Sequence, residues 1–134
     1  MSTTQITLAN LEETVTGNDI VLLDFWAGWC MPCRMFAPVF EQSSEQHPEI
    51  VFGKVDTEAE QQLAGMFQVS SIPTLIIFRE GIPVFGQPGA MNGDQLEKLI
   101  AAVQQLDMNE VRAEVEKQRA ERGAAPSEAA PAEA

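Results

Sequence analysis

The sequence predicts an α/β domain built on a mixed central β-sheet with helices on both faces. Two patterns carry this. Short apolar runs, Ile20–Trp26 (IVLLDFW), Ile50–Asp56 (IVFGKVD) and Thr74–Arg79 (TLIIFR), alternate with segments of helical periodicity, which implies parallel pairing. Glu80-Gly81 then separates the third run from Pro83–Phe85, and so short a turn implies an antiparallel hairpin.

Each element has its own local reason. Thr7-Leu8 lead into Asn10-Leu-Glu-Glu13, an N-cap with a glutamate three residues on, which opens a short helix. Ile20–Trp26 is branched and aromatic throughout, as a strand buried on both faces should be. A helix from about Pro32 to Gln46 places Phe36, Val39, Phe40 and Ser43 on one core-facing stripe. Pro48 ends it, and Pro38 inside it implies a kink. Glu58–Phe67 reads as a helix with Leu63, Met66 and Phe67 inward. Pro83 assigns the strand after the Glu80-Gly81 turn to a sheet edge. Asn92-Gly-Asp-Gln95 is a second capping box, and its helix carries Leu96, Leu99, Ile100 and Val103 on one face. The order is β-α-β-α-β-α-β-β-α.

Residues 1–106 are thus expected to form the domain. Met108, Val111 and Val115 fall about a quarter-turn off the preceding stripe, so a straight continuation would not carry them to the core. Asp107-Met-Asn-Glu110 starts a new helix over 107–123, supported by the i, i+4 pairs Arg112/Glu116 and Lys117/Glu121 and capped by Gly123. Residues 124–134 (AAPSEAAPAEA) lack core-forming side chains and are expected to be a disordered tail.

Composition narrows the function. The 134 residues suffice for one domain and a short appendage, with a core that needs no metal or disulfide staple. Twenty acidic residues against eight basic give a net charge of −12, which disfavours nucleic acid and anionic membranes. No Lys or Arg precedes Arg34, so the basic start of a signal peptide is absent, and the longest apolar run is interrupted by Asp24 and too short to span a membrane. A cytoplasmic protein is expected. Two cysteines in a reducing compartment point to chemistry rather than scaffolding.

Trp29-Cys30-Met31-Pro32-Cys33 lies between a buried strand and a helix start. Free N–H groups and the dipole at a helix N-terminus stabilise a thiolate there, most of all on the exposed leading cysteine. An unperturbed thiol near pKa 8.5 is only about 3% thiolate at pH 7, and each unit of lowering raises that severalfold. Pro32 is tolerated because the first turn has no N–H partner to lose. Cys33, at i+3, shares a helix face with Cys30 and can displace a substrate held on it. Cys30 is therefore the nucleophile and Cys33 the resolving thiol. A structural disulfide would close only a four-residue loop, worth roughly 2 kcal/mol. A zinc site needs more ligands than two cysteines and a distant His47.

Asp24 sits where burial on both faces is expected, so its pKa should rise and suit it to proton exchange with Cys33. Lys54, on the next strand, either tunes Asp24 or is a solvated strand lysine. His47 before Pro48 is a helix-end residue without a catalytic role. Pro73 in Ser71-Ile72-Pro73-Thr74 can be trans at a strand start or cis in a tight bend, and the residues alone leave both open.

Asp24-Phe-Trp-Ala-Gly-Trp-Cys-Met-Pro-Cys33, Pro38, Lys54, Ile72-Pro73-Thr74 and Gly89-Ala90, in this order and spacing, resemble the thioredoxin family over about residues 5–106. The resemblance implies the thioredoxin fold, here with an added C-terminal helix, and reduction of protein disulfides. It implies that Cys30, Cys33, Asp24, Lys54 and a cis Pro73 make the catalytic site. Trp29, Met31, Pro32, Ile72, Gly89 and Ala90 would line a shallow apolar groove in which a substrate strand bonds to backbone near Ile72. No cofactor is bound; electrons would come from NADPH through a flavoprotein thioredoxin reductase, to a monomer. Met31 departs from the family's usual glycine between Trp-Cys and Pro-Cys, adding an oxidisable apolar chain at the contact surface. The 107–134 segment departs by extending past the usual end. Two other readings stand beside the reductase: a binding module that docks partners through Met108, Val111 and Val115, and an oxidase or isomerase, separable by equilibrium with glutathione.

Overall fold

The computed structural model describes residues 2–122. The expected tail at 124–134 and the capping role of Gly123 lie outside them. The elements are β1 (Thr3–Gln5), α1 (Leu11–Thr16), β2 (Ile20–Trp26), α2 (Met31–Gln46), β3 (Val51–Asp56), α3 (Gln61–Met66), β4 (Thr74–Arg79), β5 (Ile82–Pro88), α4 (Gly93–Gln104) and α5 (Met108–Arg122). They form a five-stranded sheet in the order β1-β3-β2-β4-β5.

Alternation along the strands divides the core in two. On one face Ile20, Leu22, Phe52, Leu75 and Ile77 pack with Phe36 and Phe40 of α2 and Leu96, Ile100 and Val103 of α4. On the other, Val21, Leu23, Phe25, Val55 and Phe78 pack with Val15 of α1 and Leu63 of α3. Gly53 marks a close approach: a Cβ there would stand 2.5 Å from Ile6 Cγ1. α2 runs unbroken through Pro38. Met66 is turned outward, against expectation, because Leu63 and Phe67, one turn apart, take the inward face of this short helix.

The strand directions depart from the sequence reading in one place. β2 pairs parallel with β3, and β1 with β3, but β4 pairs antiparallel with β2. Helix length explains it. The 16 residues of α2 span about 24 Å at 1.5 Å each and return the chain to the start of the sheet. The six of α3 span only about 9 Å, so the chain re-enters at the end where β3 finished, with Thr74 opposite Phe25. The hairpin is as expected. Glu80 (φ 55°) and Gly81 (φ 78°) form its two-residue turn, and β5 is an edge strand whose Pro83 lies beside a register shift.

Capping follows the sequence at two helices of three. Asn92 and Gln95 form a reciprocal capping box on α4. Asp107 Oδ1 accepts from the Asn109 N–H at 3.0 Å and starts α5. Asn10 does not cap α1. Its short side chain turns back, accepting from the Thr7 N–H and donating to the Gln5 carbonyl, so it fastens the β1–α1 turn instead. On α5 Met108 is buried and Val111 and Val115 are half-buried, so the stripe considered for a partner is largely taken up within the chain's own fold. Arg112 pairs with Glu80 of the hairpin turn rather than Glu116, which meets Arg119.

Far from the cysteines, His47 closes α2 and ties it to α4. Its Nε2 lies 2.7 Å from Glu97, which also accepts from Ser43, and its Nδ1 lies 3.5 Å from Glu49. Burial opposes the imidazolium, but the Glu97 and Glu49 carboxylates outweigh it and His47 titrates above its ordinary value. Burial likewise pushes Glu97 up, and the His47 and Ser43 hydrogen bonds bring it below its ordinary value. The pair's stability is whole between the two ordinary values, 4.5 and 6.5. It is lost as pH rises through the raised His47 value, or falls through the lowered Glu97 value. Urea midpoints across pH 4–9 should show both declines, and His47→Gln should flatten the upper one.

Candidate active site

The end of β2 delivers the chain through Ala27, Gly28 and Trp29 to Cys30, the N-cap of α2. Cys30 is extended (φ −90°, ψ 111°), its N–H bonds to the Ala27 carbonyl, and Pro32 occupies the first helical turn. Cys30 and Cys33 form a disulfide with their Cα atoms 5.3 Å apart. The Cys33 N–H donates to Cys30 Sγ at 3.2 Å, so a free N–H of the helix start points at the leading sulfur.

The leading cysteine is less open than expected. Cys30 is 4% exposed and Cys33 2%. In the disulfide each sulfur covers the other, while Ala27, Trp26 and Ile72 pack around them. Trp29 and Met31, at 71% and 60% exposure, stand beside the covered pair. The Trp29 Nε1 donates to Glu58 at 3.0 Å, a residue the sequence reading assigned only to a helix start. Glu58 is set by the turn after β3, where its N–H bonds to Asp56, and no spacing in the sequence links it to Trp29.

The Ile72–Pro73 peptide is cis, as the family resemblance implied. The Ile72 carbonyl oxygen lies 3.7 Å from Cys30 Sγ. The Pro73 carbonyl accepts from the Gly89 N–H at 2.8 Å, and Gly89 has φ +107°, a conformation other residues rarely adopt. Ile72, Pro73 and Gly89 are thus joined beside the cysteines. Pro32 and Ala90 are exposed, and Ala90 lines, with Gly89, Phe85, Met91 and Leu99, a hollow of about 270 Å³.

Asp24 shares its strand face with Ile20 and Leu22, which pack on Phe36 and Phe40 of α2. It lies toward the end of β2 that feeds α2, whose buried Cys33 is one turn before Phe36. Its side chain therefore lies on the sheet face that α2 covers. It is 1% exposed and neither oxygen has a hydrogen-bond partner. Burial raises its pKa from 3.8 to about 7, against the lowering pull of Lys54. Lys54 is its register partner on β3, yet its Nζ sits 5.0 Å over the Trp26 ring instead of bonding to the carboxyl.

A disulfide pair at a helix start and a cis-proline segment beside it are joined in the same molecule by a buried acid on the sheet face under α2. The family model described as Thioredoxin matches residues 2–102. The chain belongs to the thioredoxin family. A Streptomyces coelicolor relative, provisionally named thioredoxin 2, is 52% identical over 122 residues, 91% of each chain. A mutant thioredoxin from Halobacterium salinarum superposes with a TM-score of 0.73 at 34% identity, covering 78% of this chain and 93% of that one. The bifunctional thioredoxin reductase/thioredoxin of Mycobacterium leprae is 47% identical over 73 residues, 54% of this chain and 16% of that protein. Membership with the Cys30–Cys33 pair makes this chain a thiol–disulfide oxidoreductase acting on protein disulfides. Among the described residues no helix is long and apolar enough to cross a membrane, and no group of three His, Cys, Asp or Glu is placed to hold a metal.

Proposed function

We propose that the protein reduces substrate disulfides with Cys30 as nucleophile, Cys33 as resolving thiol and Asp24 as the proton-exchanging acid. The observation that carries this is the Cys33 N–H aimed at Cys30 Sγ at the N-cap of α2. That N–H, with the dipole of α2 behind it, stabilises negative charge on Cys30. The Cys30 thiolate attacks a substrate disulfide; one S–S bond forms to Cys30 and the substrate's own breaks, releasing its first thiolate. Asp24, buried on the sheet face that α2 covers, accepts the Cys33 proton. The Cys33 thiolate then attacks Cys30 Sγ, forms the intramolecular disulfide and releases the second substrate sulfur as a thiolate, which takes a proton from solvent. Lys54 sets the carboxyl's charge through its register position, and Pro73 shapes the wall beside Cys30.

Trp29, Met31, Pro32, Ile72, Gly89 and Ala90 form the substrate face, with a substrate strand bonding to backbone near Ile72. Electrons are supplied by NADPH through a flavoprotein thioredoxin reductase; the fused reductase of the Mycobacterium leprae relative supports the pairing. We assign residues 1–106 as the catalytic domain, 107–123 as an added helix, and the whole as a cytoplasmic monomer that uses neither nucleic acid nor membrane. Cys33→Ser provides the test. It should trap insulin as a mixed disulfide on Cys30, visible on a non-reducing gel and released by dithiothreitol, while wild type accumulates none. Failure to form the adduct would overturn the assignment of roles.

A further inference from the structure

Met31, between the two cysteines, stands in the open, and a second thioether, Met35, is exposed one turn further along α2. Met31 is the first helical residue of α2 and Met35 follows one turn later on the same side, so the two are neighbours on the helix surface. Their exposures are 60% and 68%, against 46% for Met66 and 7% for Met108. Trp29, 71% exposed, lies two residues before Met31. We propose that Met31 and Met35 are a peroxide-oxidation site that converts the substrate face from apolar to polar. This rests on the reading of that face as the substrate surface.

The chemistry balances with hydrogen peroxide as the oxidant. A thioether lone pair attacks the outer peroxide oxygen, an S–O bond forms as the O–O bond breaks, and the leaving oxygen departs as water after a proton shift through solvent. The sulfur loses two electrons and the peroxide gains them. In the disulfide form neither Cys30 nor Cys33 holds a thiol to compete, which leaves the thioethers as the reactive sulfurs of this face. An oxidising environment thus accumulates the form in which Met31 and Met35 are the targets. Methionine sulfoxide is polar and accepts hydrogen bonds, so covering it with an apolar substrate strand is unfavourable. The reacting sulfurs are untouched. Substrate binding should therefore weaken, with KM for insulin rising about tenfold and kcat changing by less than about twofold.

The full-length disulfide form is treated with hydrogen peroxide, quenched with catalase, and divided between peptide mass spectrometry and dithiothreitol-driven insulin reduction. Sulfoxide should accumulate severalfold faster at Met31 and Met35 than at Met108, and KM should rise. Methionine sulfoxide reductase should return KM to its starting value. The double variant Met31→Leu/Met35→Leu, whatever its own starting KM, should not respond to peroxide. Equal oxidation rates at Met31 and Met108, an unchanged KM, or a rise that survives the reductase or appears in the double variant would overturn the proposal. Untreated protein that fails to reduce insulin would instead strike the functional reading, while the oxidation rates still decide the chemical site.

Discussion

Replacing Cys30 by serine is expected to reduce insulin reduction to background, a loss of at least about 10³-fold. A serine hydroxyl stays protonated at neutral pH even at a helix N-terminus, and an oxygen cannot form the mixed disulfide through which exchange proceeds. The remaining Cys33 cannot substitute for it. Its own N–H points at position 30 rather than at its sulfur, so the helix start does not stabilise a thiolate there in the same way. Folding should survive, because the lost disulfide closes a loop of only four residues and contributes roughly 2 kcal/mol. A turbidity assay with insulin and dithiothreitol, alongside a thermal melt, separates the two effects. A folded Cys30→Ser protein that still reduced insulin would remove the nucleophile from the proposed sequence of steps, whatever the fate of Cys33→Ser.

The parts of the fold legible in the sequence are those in which one residue run decides the outcome. Ile20–Trp26 has no polar residue except Asp24, and it became the strand buried on both faces. The i, i+3, i+4 rows of α2 and α4 gave their inward faces directly. The edge position of β5 followed from Pro83, which has no N–H to give a further strand. What was not legible depended on lengths compared across elements. The antiparallel entry of β4 follows from α3 being too short to return the chain, a fact distributed over several segments. Asn10 was misread because an Asn side chain serves a turn on either side of it equally well.

The site divides along the same line. Cys30, Cys33 and Asp24 announce themselves, two by motif and one as a charge in an apolar run. Glu58, the acceptor of the Trp29 indole N–H, and the Pro73–Gly89 bond join distant segments that no local pattern relates. The covering of Cys30 was missed for a related reason: its neighbours Ile72 and Ala27 come from two different loops. Pro73 is intermediate. Its isomer could not be chosen from the residues alone, and came only with the family resemblance.

Asp24→Asn is expected to make the protein more stable above neutral pH and slower in its resolving step. Asparagine has the shape of the protonated acid and cannot ionise, so it fixes the form that burial favours. Below pH 3.8 the acid is protonated in both the native and unfolded chains, and the parent and variant should be equally stable. Between 3.8 and about 7 the unfolded chain releases a proton that the native chain keeps, so the parent's stability falls as pH rises. Above about 7 the full cost of the buried carboxylate stands, about 4 kcal/mol at 1.36 kcal/mol per pH unit. Urea unfolding of the disulfide forms at pH 4, 6 and 8 should show the gap open from near zero to several kcal/mol; a gap constant with pH would show that ionisation is not its cause. Activity should move the other way. The parent's resolving rate should rise through pH 7 as Asp24 becomes able to take the Cys33 proton, whereas the variant should lack that rise and resolve about 10²-fold more slowly at pH 8. The same unpartnered carboxyl accounts for both effects, since the burial that costs stability is what holds its pKa within reach of a thiol.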